Sequence, residues 1–498
     1  MLLSEYLTSD ATALAEKVAT GEVTAVDLLA LARERTDQVN PTLNAVVVSM
    51  TEVADARAAS ALEGLFAGVP FLIKDLGQEY AGLPTSNGSR ALAHDVADRH
   101  ALVTQRFLDA GLVIFGKTNT PEFGAKGITE SELWGPARNP WNTGHTPGGS
   151  SGGSGAAVAA GIVPAAGAND GGGSVRIPAA CNGLVGLKTS RGLGPYGPQT
   201  GEVMFGMVTQ GVVSRTVRDS AALLDAIIGP DPRAGYQGAP HDGSFAASLP
   251  GRPGRLRIGY SSSSAINAHP DPEAVAAVEA AARLLTELGH EVEEVSPPHD
   301  DEALARDFLT IWFGQLHGQV SEVKRRLKSP DSHFEADTLA SAELGRAAGM
   351  LPLLRSLGNV NDYIHALADF HASYDFFLTP TLAKPPIAID STTTPANLQK
   401  ASRVIAKIRG GKLLTMSGVL DQLISDNLGW VPYTQLANLT GRPAISVPLH
   451  WTEAGLPLGV QFVGPLGSDG ALLRLAAQLE EARPWFGRYA SLDPKLPR

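Results

Sequence analysis

Glycine is concentrated in two clusters within one short stretch of the sequence. Ten of the 33 residues from Gly148 to Ala180 are glycine, against 54 of 498 in the whole chain. The clusters read GGSSGG and DGGGS, and a run of small apolar residues separates them. Because glycine lets the backbone turn sharply and approach other groups closely, each cluster predicts a tight turn. Serine hydroxyls lie inside both turns, which leaves a purely structural and a chemical interpretation open.

Neither cluster fits a glycine-rich phosphate loop. A Walker-type loop needs a lysine directly after its last glycine, and neither cluster supplies one. A dinucleotide-binding fingerprint that starts at Gly153 would place Val158 where glycine or alanine is needed. Nucleophilic catalysis fits better, because Ser174 follows three glycines whose backbone amides can face a substrate carbonyl. The following VRIPAA can begin a helix, whose amino end adds positive potential.

A serine nucleophile needs a base, and Lys74 is the candidate. None of the 12 histidines lies in a recognisable catalytic context, and the chain has no GxSxG elbow. Lys74 ends the apolar run FAGVPFLIK, which predicts a buried strand. Desolvation there would lower the pKa of its amine toward neutrality. The alternative is a lysine whose amine reaches solvent past the strand end, and the residues alone leave both open.

The order of elements predicts an α/β fold. Segments such as RLRIGY, PEAVAAVEAAARLLTELG and EVEEVS alternate between strand and helix patterns, which favours a large central mixed, mostly parallel β-sheet covered by helices on both faces. Thr24 and Thr216 are predicted helix N-caps. We see no linker and expect a single domain over residues 1–498. Residues from about 301 to 430 are predicted to be helix-rich and to form the substrate pocket.

Composition excludes several classes of protein. Lys and Arg total 40 against 51 for Asp and Glu, so the net charge of -11 argues against nucleic-acid binding. Cys181 is the only cysteine, which rules out an intrachain disulfide and a cysteine-rich metal site. The longest stretch of low polarity, residues 156–168, is too short to span a bilayer, and the amino terminus does not resemble a signal peptide. We expect a cytoplasmic protein without a membrane partner; a homodimer stays open.

Taken together, these motifs resemble the amidase signature family. The family pattern combines a GGSSGG block, here at 148–153, with a second block that ends in Gly-Gly-Ser and an upstream strand-end lysine. Ser150 and Ser174 are 24 positions apart, as that pattern requires. Further matching segments are GKTNTPEFG, RNPWN, GLVGLKTSRG, DFFLTPT and TGRPAISVPLHWTEAGLPLGVQFVG. The resemblance therefore covers most of the chain and implies a catalytic core at about 60–220.

The resemblance implies a role for each matched residue. Ser174 is the expected nucleophile, Lys74 the expected base, and Ser150, after a cis peptide bond, the serine that links them. The backbone amides of Gly171, Gly172, Gly173 and Ser174 are expected to form the oxyanion hole. Supporting roles are expected for Ser151, Asp170 and Arg176. The implied reaction passes through an acyl-enzyme on serine and needs neither a metal nor an organic cofactor.

The family resemblance implies an amidase that cleaves the carboxamide C–N bond of small linear, cyclic or aryl amides; carbamates and esters suit the same machinery. The segments LIKDL, WGPARNPWN and GGSSGGSGAAVAA are similar to family members that hydrolyse the 6-aminohexanoate cyclic dimer. The alternative is the A subunit of a glutamyl-tRNA amidotransferase-like complex, which typically has KDN where this chain has KDL. That difference favours a free-standing hydrolase.

The substrate pocket is the least defined part of the sequence. Trp312, Phe313 and His317 lie in the helix-rich region and are candidates for contact with the substrate, as is Met350. Apolar residues at helical spacing are also typical of an ordinary helix core, and that interpretation stays open.

Overall fold

A computed structural model gives the fold for residues 1–238, 241, 243–267, 269–392, 394–411, 424–425 and 428–492. The strands are β1 Val46–Ser49, β2 Pro70–Lys74, β3 Val113–Thr118, β4 Glu130–Ser131, β5 Gly135–Pro136, β6 Ala165–Asp170, β7 Val185–Lys188, β8 Thr209–Ser214, β9 Arg257–Tyr260, β10 Glu291–Glu294, β11 Phe376–Pro380, β12 Ala444–Trp451 and β13 Pro457–Val463. The helices are α1 Leu3–Leu7, α2 Ala11–Ala19, α3 Ala25–Leu43, α4 Thr51–Ala58, α5 Leu102–Asp109, α6 Gly152–Ala159, α7 Arg176–Asn182, α8 Val217–Ile227, α9 Phe245–Ser248, α10 Pro272–Glu287, α11 Asp301–Leu327, α12 Ala336–Ala348, α13 Met350–His371, α14 Ala396–Lys407, α15 Gln435–Thr440 and α16 Asp469–Ala482.

Eleven of these strands form one large sheet in the order β1-β3-β2-β6-β8-β7-β12-β13-β11-β9-β10, flanked by helices. The predicted α/β fold with a large mixed sheet is confirmed, but the expectation of mostly parallel pairing is wrong. Only β2–β3, β2–β6, β9–β11 and β9–β10 are parallel; the other six pairings of the described sheet are antiparallel. Alternation of strands and helices along the chain does not fix which strands become neighbours, and β8 inserts antiparallel between β6 and β7.

Helix starts follow the predicted N-caps. The Thr24 side chain accepts a hydrogen bond from the Asp27 amide, and the Asp27 carboxylate accepts one from the Thr24 amide. Thr216 accepts in the same way from the amide of Asp219. Each bond satisfies an amide that has no partner within its helix, which is why these residues begin α3 and α8.

The sheet topology brings the motif residues together. β2 and β6 are parallel neighbours, with Leu72 opposite Ala166, so their carboxyl ends lie at the same edge of the sheet. Lys74 is the last residue of β2. Asp170 is the last residue of β6 and the first of the DGGGS turn. Every residue of both strands is buried. This edge is where an α/β sheet usually presents its ligand site.

The helix-rich region packs over that edge. α11, α12, α13 and α14 lie in it, and residues 393, 412–423 and 426–427 of the region are outside the described part of the chain. A second apolar core joins α11 and α13 to the carboxyl-terminal part; it includes Leu304, Phe308, Ile311, Phe313, Val360, Tyr363, Leu428 and Leu436. Within the described residues, no helix is both long and apolar enough to cross a membrane.

Gly153, in the first turn of α6, packs directly on the backbone just after β3 and just before β1. A Cβ atom there would lie 2.3 Å from the Asn119 nitrogen and 2.6 Å from the Ala45 carbonyl oxygen, both backbone atoms. We expect Gly153→Ala to lower the free energy of unfolding by roughly 1–3 kcal/mol, since rigid backbone has to move. Gly318→Ala is the control, because Gly318 lies in α11 with nothing within 4 Å of its Cβ position. Chemical denaturation should show that control unchanged or more stable; wild-type stability in Gly153→Ala would contradict the packing.

Candidate active site

Lys74 is fully buried, and no carboxylate of the described residues forms an ion pair with it. Its Nζ donates to Ser150 Oγ at 2.7 Å and to Asn169 Oδ1 at 2.8 Å, and both acceptors are uncharged. Burial lowers the pKa of Lys74 well below its ordinary value, and the negative charge of Asp170 opposes this only in part. A lysine so placed favours the neutral amine, which has a lone pair available to accept a proton.

Two amide side chains that sequence reasoning missed hold this lysine. Asn169 turns its Oδ1 to Lys74 because its Nδ2 donates to the Leu76 carbonyl at 2.7 Å. Gln78 Oε1 accepts from the backbone amide of Lys74 at 2.8 Å. The only sequence signal for Asn169 was its position next to Asp170, directly before the second glycine cluster.

The GGSSGG block at 148–153 is held in place by contacts with Lys74 and Thr129. The Gly149–Ser150 peptide bond is cis, and Ser150 is buried. Thr129 Oγ1 donates to the Gly148 carbonyl at 2.9 Å and accepts from the Gly152 amide at 3.1 Å. Ser151 Oγ is 3.4 Å from the carbonyl oxygen of Asn169, so Ser151 contacts the backbone of β6 and not Lys74.

Ser174 lies at the boundary between this buried network and an open cavity. It is 8% exposed and is one of the residues lining the cavity. Among the described side chains, no hydrogen bond joins Ser174 Oγ to Ser150 Oγ; the latter contacts Lys74. Sequence reasoning placed Lys74, Ser150 and Ser174 in one site, and the structure puts the first two in direct contact.

The turn before Ser174 is braced by a buried ion pair. Asp170 and Arg176 are both fully buried, and the guanidinium bonds the two carboxylate oxygens at 3.0 and 2.9 Å. Burial raises the pKa of Asp170, but the charge and hydrogen bonds of Arg176 outweigh this and hold it well below its usual range. Asp170 also accepts from the amides of Gly173 at 2.8 Å and Val175 at 3.1 Å. The turn is therefore wrapped around one carboxylate.

One of the four amides expected to form the oxyanion hole is already bound within the turn. The Gly173 N–H points to Asp170 and is already paired, so it is not available to a substrate. The amides of Gly171, Gly172 and Ser174 donate to no other described residue. Three of the four expected donors thus stay free, and the fourth serves the turn itself.

The cavity next to Ser174 has a volume of about 820 Å³. Phe308, Trp312 and Phe313 of α11 form an aromatic wall, whereas Lys126, Glu335 and Asp337 make another part of the lining charged. Lys126 Nζ donates to Asp337 at 2.8 Å. Phe308 was not predicted, although it lies one helical turn before Trp312.

Trp312 and Phe313 line this cavity, whereas His317 is not among the residues that line it. Contact of Trp312 and Phe313 with a substrate stays a prediction. His317 lies one turn further along α11, where burial and then the charge of Arg346 lower its pKa. Helical periodicity keeps a residue on a face but does not say where along the helix a cavity ends. Met350, at the start of α13, is 74% exposed and lines no part of this cavity. In the described part of the chain, no group of His, Cys, Asp and Glu side chains is arranged to bind a metal ion.

The ion pair predicts a large effect of Arg176→Met on stability. It would leave Asp170 buried without its counter-ion, so we expect a loss of about 3–5 kcal/mol near neutral pH. In the wild type the lowered pKa of Asp170 contributes stability above its unfolded pKa that is lost as pH falls; in the variant burial raises that pKa, so the difference should shrink at acidic pH.

The control is Arg90→Met, which breaks the exposed Arg90–Glu132 pair and should cost less than about 1 kcal/mol. Urea denaturation at several pH values measures both variants. Equal losses in the two, or a loss in Arg176→Met that does not change with pH, would contradict the assigned role of the buried pair.

The chain is similar to known proteins over nearly its whole length. The amidase family model matches residues 27–473. The 6-aminohexanoate-cyclic-dimer hydrolase of Pseudomonas sp. (strain NK87) is 36% identical over 501 residues, covering 98% of this chain and 97% of that protein. A solved structure of 6-aminohexanoate cyclic dimer hydrolase complexed with substrate superposes with a TM-score of 0.88 at 34% identity, covering 98% of this chain and 99% of the other.

The A subunit of the glutamyl-tRNA(Gln) amidotransferase of Thermotoga maritima is a more distant structural neighbour. It has a TM-score of 0.73 at 27% identity, with 97% of this chain and 95% of that chain covered. The expected likeness to hydrolases of the cyclic dimer type is therefore confirmed, and the amidotransferase alternative is weakened.

Proposed function

Because the chain belongs to the amidase (amidase signature) family and is an amide hydrolase, we propose that Lys74, Ser150 and Ser174 carry out its reaction. The observation that supports this most is the 2.7 Å contact between Lys74 Nζ and Ser150 Oγ in a fully buried setting. A neutral amine there can take a proton from Ser150, and Ser150 in turn from Ser174. Since the two hydroxyls are not hydrogen-bonded to each other, the second transfer requires that they come into hydrogen-bond contact when substrate binds.

The oxygen of Ser174 then attacks the amide carbon, and the carbonyl oxygen becomes negatively charged. The free N–H groups of Gly171, Gly172 and Ser174 are the proposed donors to that oxygen. The proton held by Lys74 returns through Ser150 to the leaving nitrogen, and the C–N bond breaks. An acyl group on Ser174 and a free amine or ammonia result.

Water completes the reaction by the same route. Lys74, again neutral, accepts a proton from water through Ser150, and the resulting hydroxide oxygen attacks the acyl carbon. The proton then goes back to Ser174 as the carboxylic acid leaves. Every proton taken in this scheme is returned, and the residues named are sufficient to move it.

The proposed substrates are small carboxamides, linear, cyclic or aryl, which the cavity of about 820 Å³ accommodates beside Ser174. The aromatic side of the cavity, with Phe308, Trp312 and Phe313, suits their apolar part. Carbamates and esters are proposed secondary substrates, because the same attack and oxyanion apply to their carbonyl groups. We also propose a cytoplasmic enzyme that acts without nucleic acid or a membrane, and a homodimer as its assembly.

A screen of the purified chain against linear, cyclic and aryl amides, with one carbamate included, tests the substrate proposal. Release of amine or ammonia by the chain alone is expected. Activity that appears only with co-expressed partner proteins and tRNA would instead support the amidotransferase alternative.

Replacement of the proposed nucleophile should abolish turnover. We expect Ser174→Ala to fold normally and to lose amide hydrolysis, and a serine-reactive phosphonate to label the wild type at Ser174, as mass spectrometry would show. Ser341→Ala is the control, since Ser341 lines the same cavity with no assigned step, and its activity should change only slightly. A label on another residue, or normal activity in Ser174→Ala, would disprove the assignment.

Replacement of the proposed base should change the pH profile. The neutral fraction of Lys74 rises as pH passes upward through its lowered pKa, so kcat/KM should fall on the acidic side. Lys74→Ala should lose about 10²–10⁴-fold in kcat/KM, with partial recovery at high pH.

The matched control is Lys117→Met. Lys117 is a second buried strand-end lysine, in β3, and its Nζ donates to the Pro84 carbonyl and Thr85 Oγ1, both at 2.6 Å. Burial lowers its pKa as well. The fall of kcat/KM on the acidic side should keep its position in Lys117→Met. In Lys74→Ala it should move to higher pH, where the remaining activity recovers in part. The reverse result would mean that the fall was assigned to the wrong lysine.

A further inference from the structure

The peptide unit between Gly172 and Gly173 is held at both ends by buried side chains. Its carbonyl oxygen, on Gly172, accepts from Thr434 Oγ1 at 2.6 Å and from Gln435 Nε2 at 3.3 Å. Its N–H, on Gly173, donates to Asp170 Oδ1 at 2.8 Å. A rotation of this peptide plane would break hydrogen bonds on both sides, so its orientation is fixed.

That fixed peptide lies between two of the free amides. The N–H of Gly172 belongs to the peptide unit before it, and the N–H of Ser174 to the unit after it. The unit that carries the Ser174 N–H is also held from its other end, because the Gly173 carbonyl accepts from the Ile177 amide at 2.7 Å. The carbonyl of Gly171, in the unit that carries the Gly172 N–H, accepts no hydrogen bond from a described residue. The groups that hold the middle peptide therefore matter most for the direction of the Gly172 donor, and they support that of Ser174.

Thr434 is well placed to do this. Its side chain is fully buried, and its own carbonyl oxygen accepts from Arg176 Nη1 at 2.8 Å. Arg176 is the partner of Asp170, which binds the other end of the peptide. Gln435 Nε2 is shared with the Val431 carbonyl at 3.0 Å, so the shorter contact from Thr434 is the stronger support for Gly172.

We propose that Thr434 is a positioning residue of the oxyanion pocket: its hydroxyl holds the Gly172 carbonyl so that the amides of Gly172 and Ser174 converge on the substrate oxygen. Gln435 supports the same carbonyl. Thr434 contacts no reacting atom and acts through the backbone. The inference rests on the proposed function, since it requires that the oxyanion form on an acyl group attached to Ser174.

Thr434→Val tests this, because it keeps the shape of threonine and removes only the hydroxyl donor. With an acyl p-nitroanilide as substrate, we expect kcat to fall by about 10- to 100-fold while KM changes by less than about threefold. A trifluoromethyl ketone with the same acyl group forms a tetrahedral oxyanion on the enzyme, so its Ki should rise by the same factor as kcat/KM falls. Thr434→Ser retains the hydroxyl and should recover most of the activity.

Thr440→Val is the matched control. Thr440 is buried at the end of α15, and its Oγ1 donates to the Leu436 carbonyl at 2.7 Å, away from the glycine turn. It should leave kcat and the ketone Ki near the wild-type values. If Thr434→Val does not fold, Gln435→Met removes the second donor to the same carbonyl and should give the same pattern with smaller changes.

The outcomes separate this inference from the proposed function. Wild-type kcat in Thr434→Val, equal losses in Thr434→Ser and Thr434→Val, or a rise in KM alone would overturn the positioning role and leave the nucleophile assignment standing. The same holds if only Gln435→Met folds and it has wild-type kinetics. A wild-type enzyme whose ketone adduct forms at a residue other than Ser174 would overturn the proposed function and this inference with it.

Discussion

The rest of the site depends on the buried ion pair between Asp170 and Arg176. Its carboxylate anchors the amides of the glycine turn, and its guanidinium reaches Thr434, Gln461 and Asn438 across the carboxyl-terminal part of the chain. The pair has a second consequence for Lys74. Arg176 balances the charge of Asp170, and that carboxylate raises the pKa of Lys74 less than burial lowers it, so the lysine pKa lies well below its ordinary value. One buried pair thus shapes the turn and leaves burial as the main influence on the pKa of the amine beside it.

The site is built from two parts of the fold, the edge of the sheet and the segments packed over it. Lys74 and Asp170 end neighbouring strands whose residues are all buried, so the distance between Lys74 and the glycine turn is set by the sheet. The cavity walls come mainly from the helices and from connecting segments packed over that edge. A change of a cavity-lining side chain such as Trp312 would therefore alter the shape of the cavity without moving Lys74 or the glycine turn. This separation is consistent with a family whose members act on different amides.

The sequence could predict that Lys74, Ser150 and Ser174 share one site because those residues lie in contiguous motifs with fixed spacing; their catalytic roles stay a prediction. It failed where the answer depends on contacts between distant segments. The mostly parallel sheet was wrong because pairing order is a tertiary property, and His317 lies outside the cavity because periodicity does not locate where a cavity ends. Asn169 and Thr434 were missed for the same reason. Their roles arise from hydrogen bonds to Lys74 and Gly172, which lie 95 and 262 positions away along the chain.

The glycine turn shows why a motif alone can suggest the wrong donor. A Cβ atom would lie 3.0 Å from Val208 at Gly171, 2.7 Å from Phe308 at Gly172 and 2.5 Å from Thr434 at Gly173. Gly173 also has a φ of +126°, which side chains disfavour. Limited space thus favours glycine at all three positions, and the backbone direction favours it at Gly173 in addition. Three consecutive glycines therefore do not imply three equivalent amides, and the one bound to Asp170 directs its neighbours instead of facing the substrate.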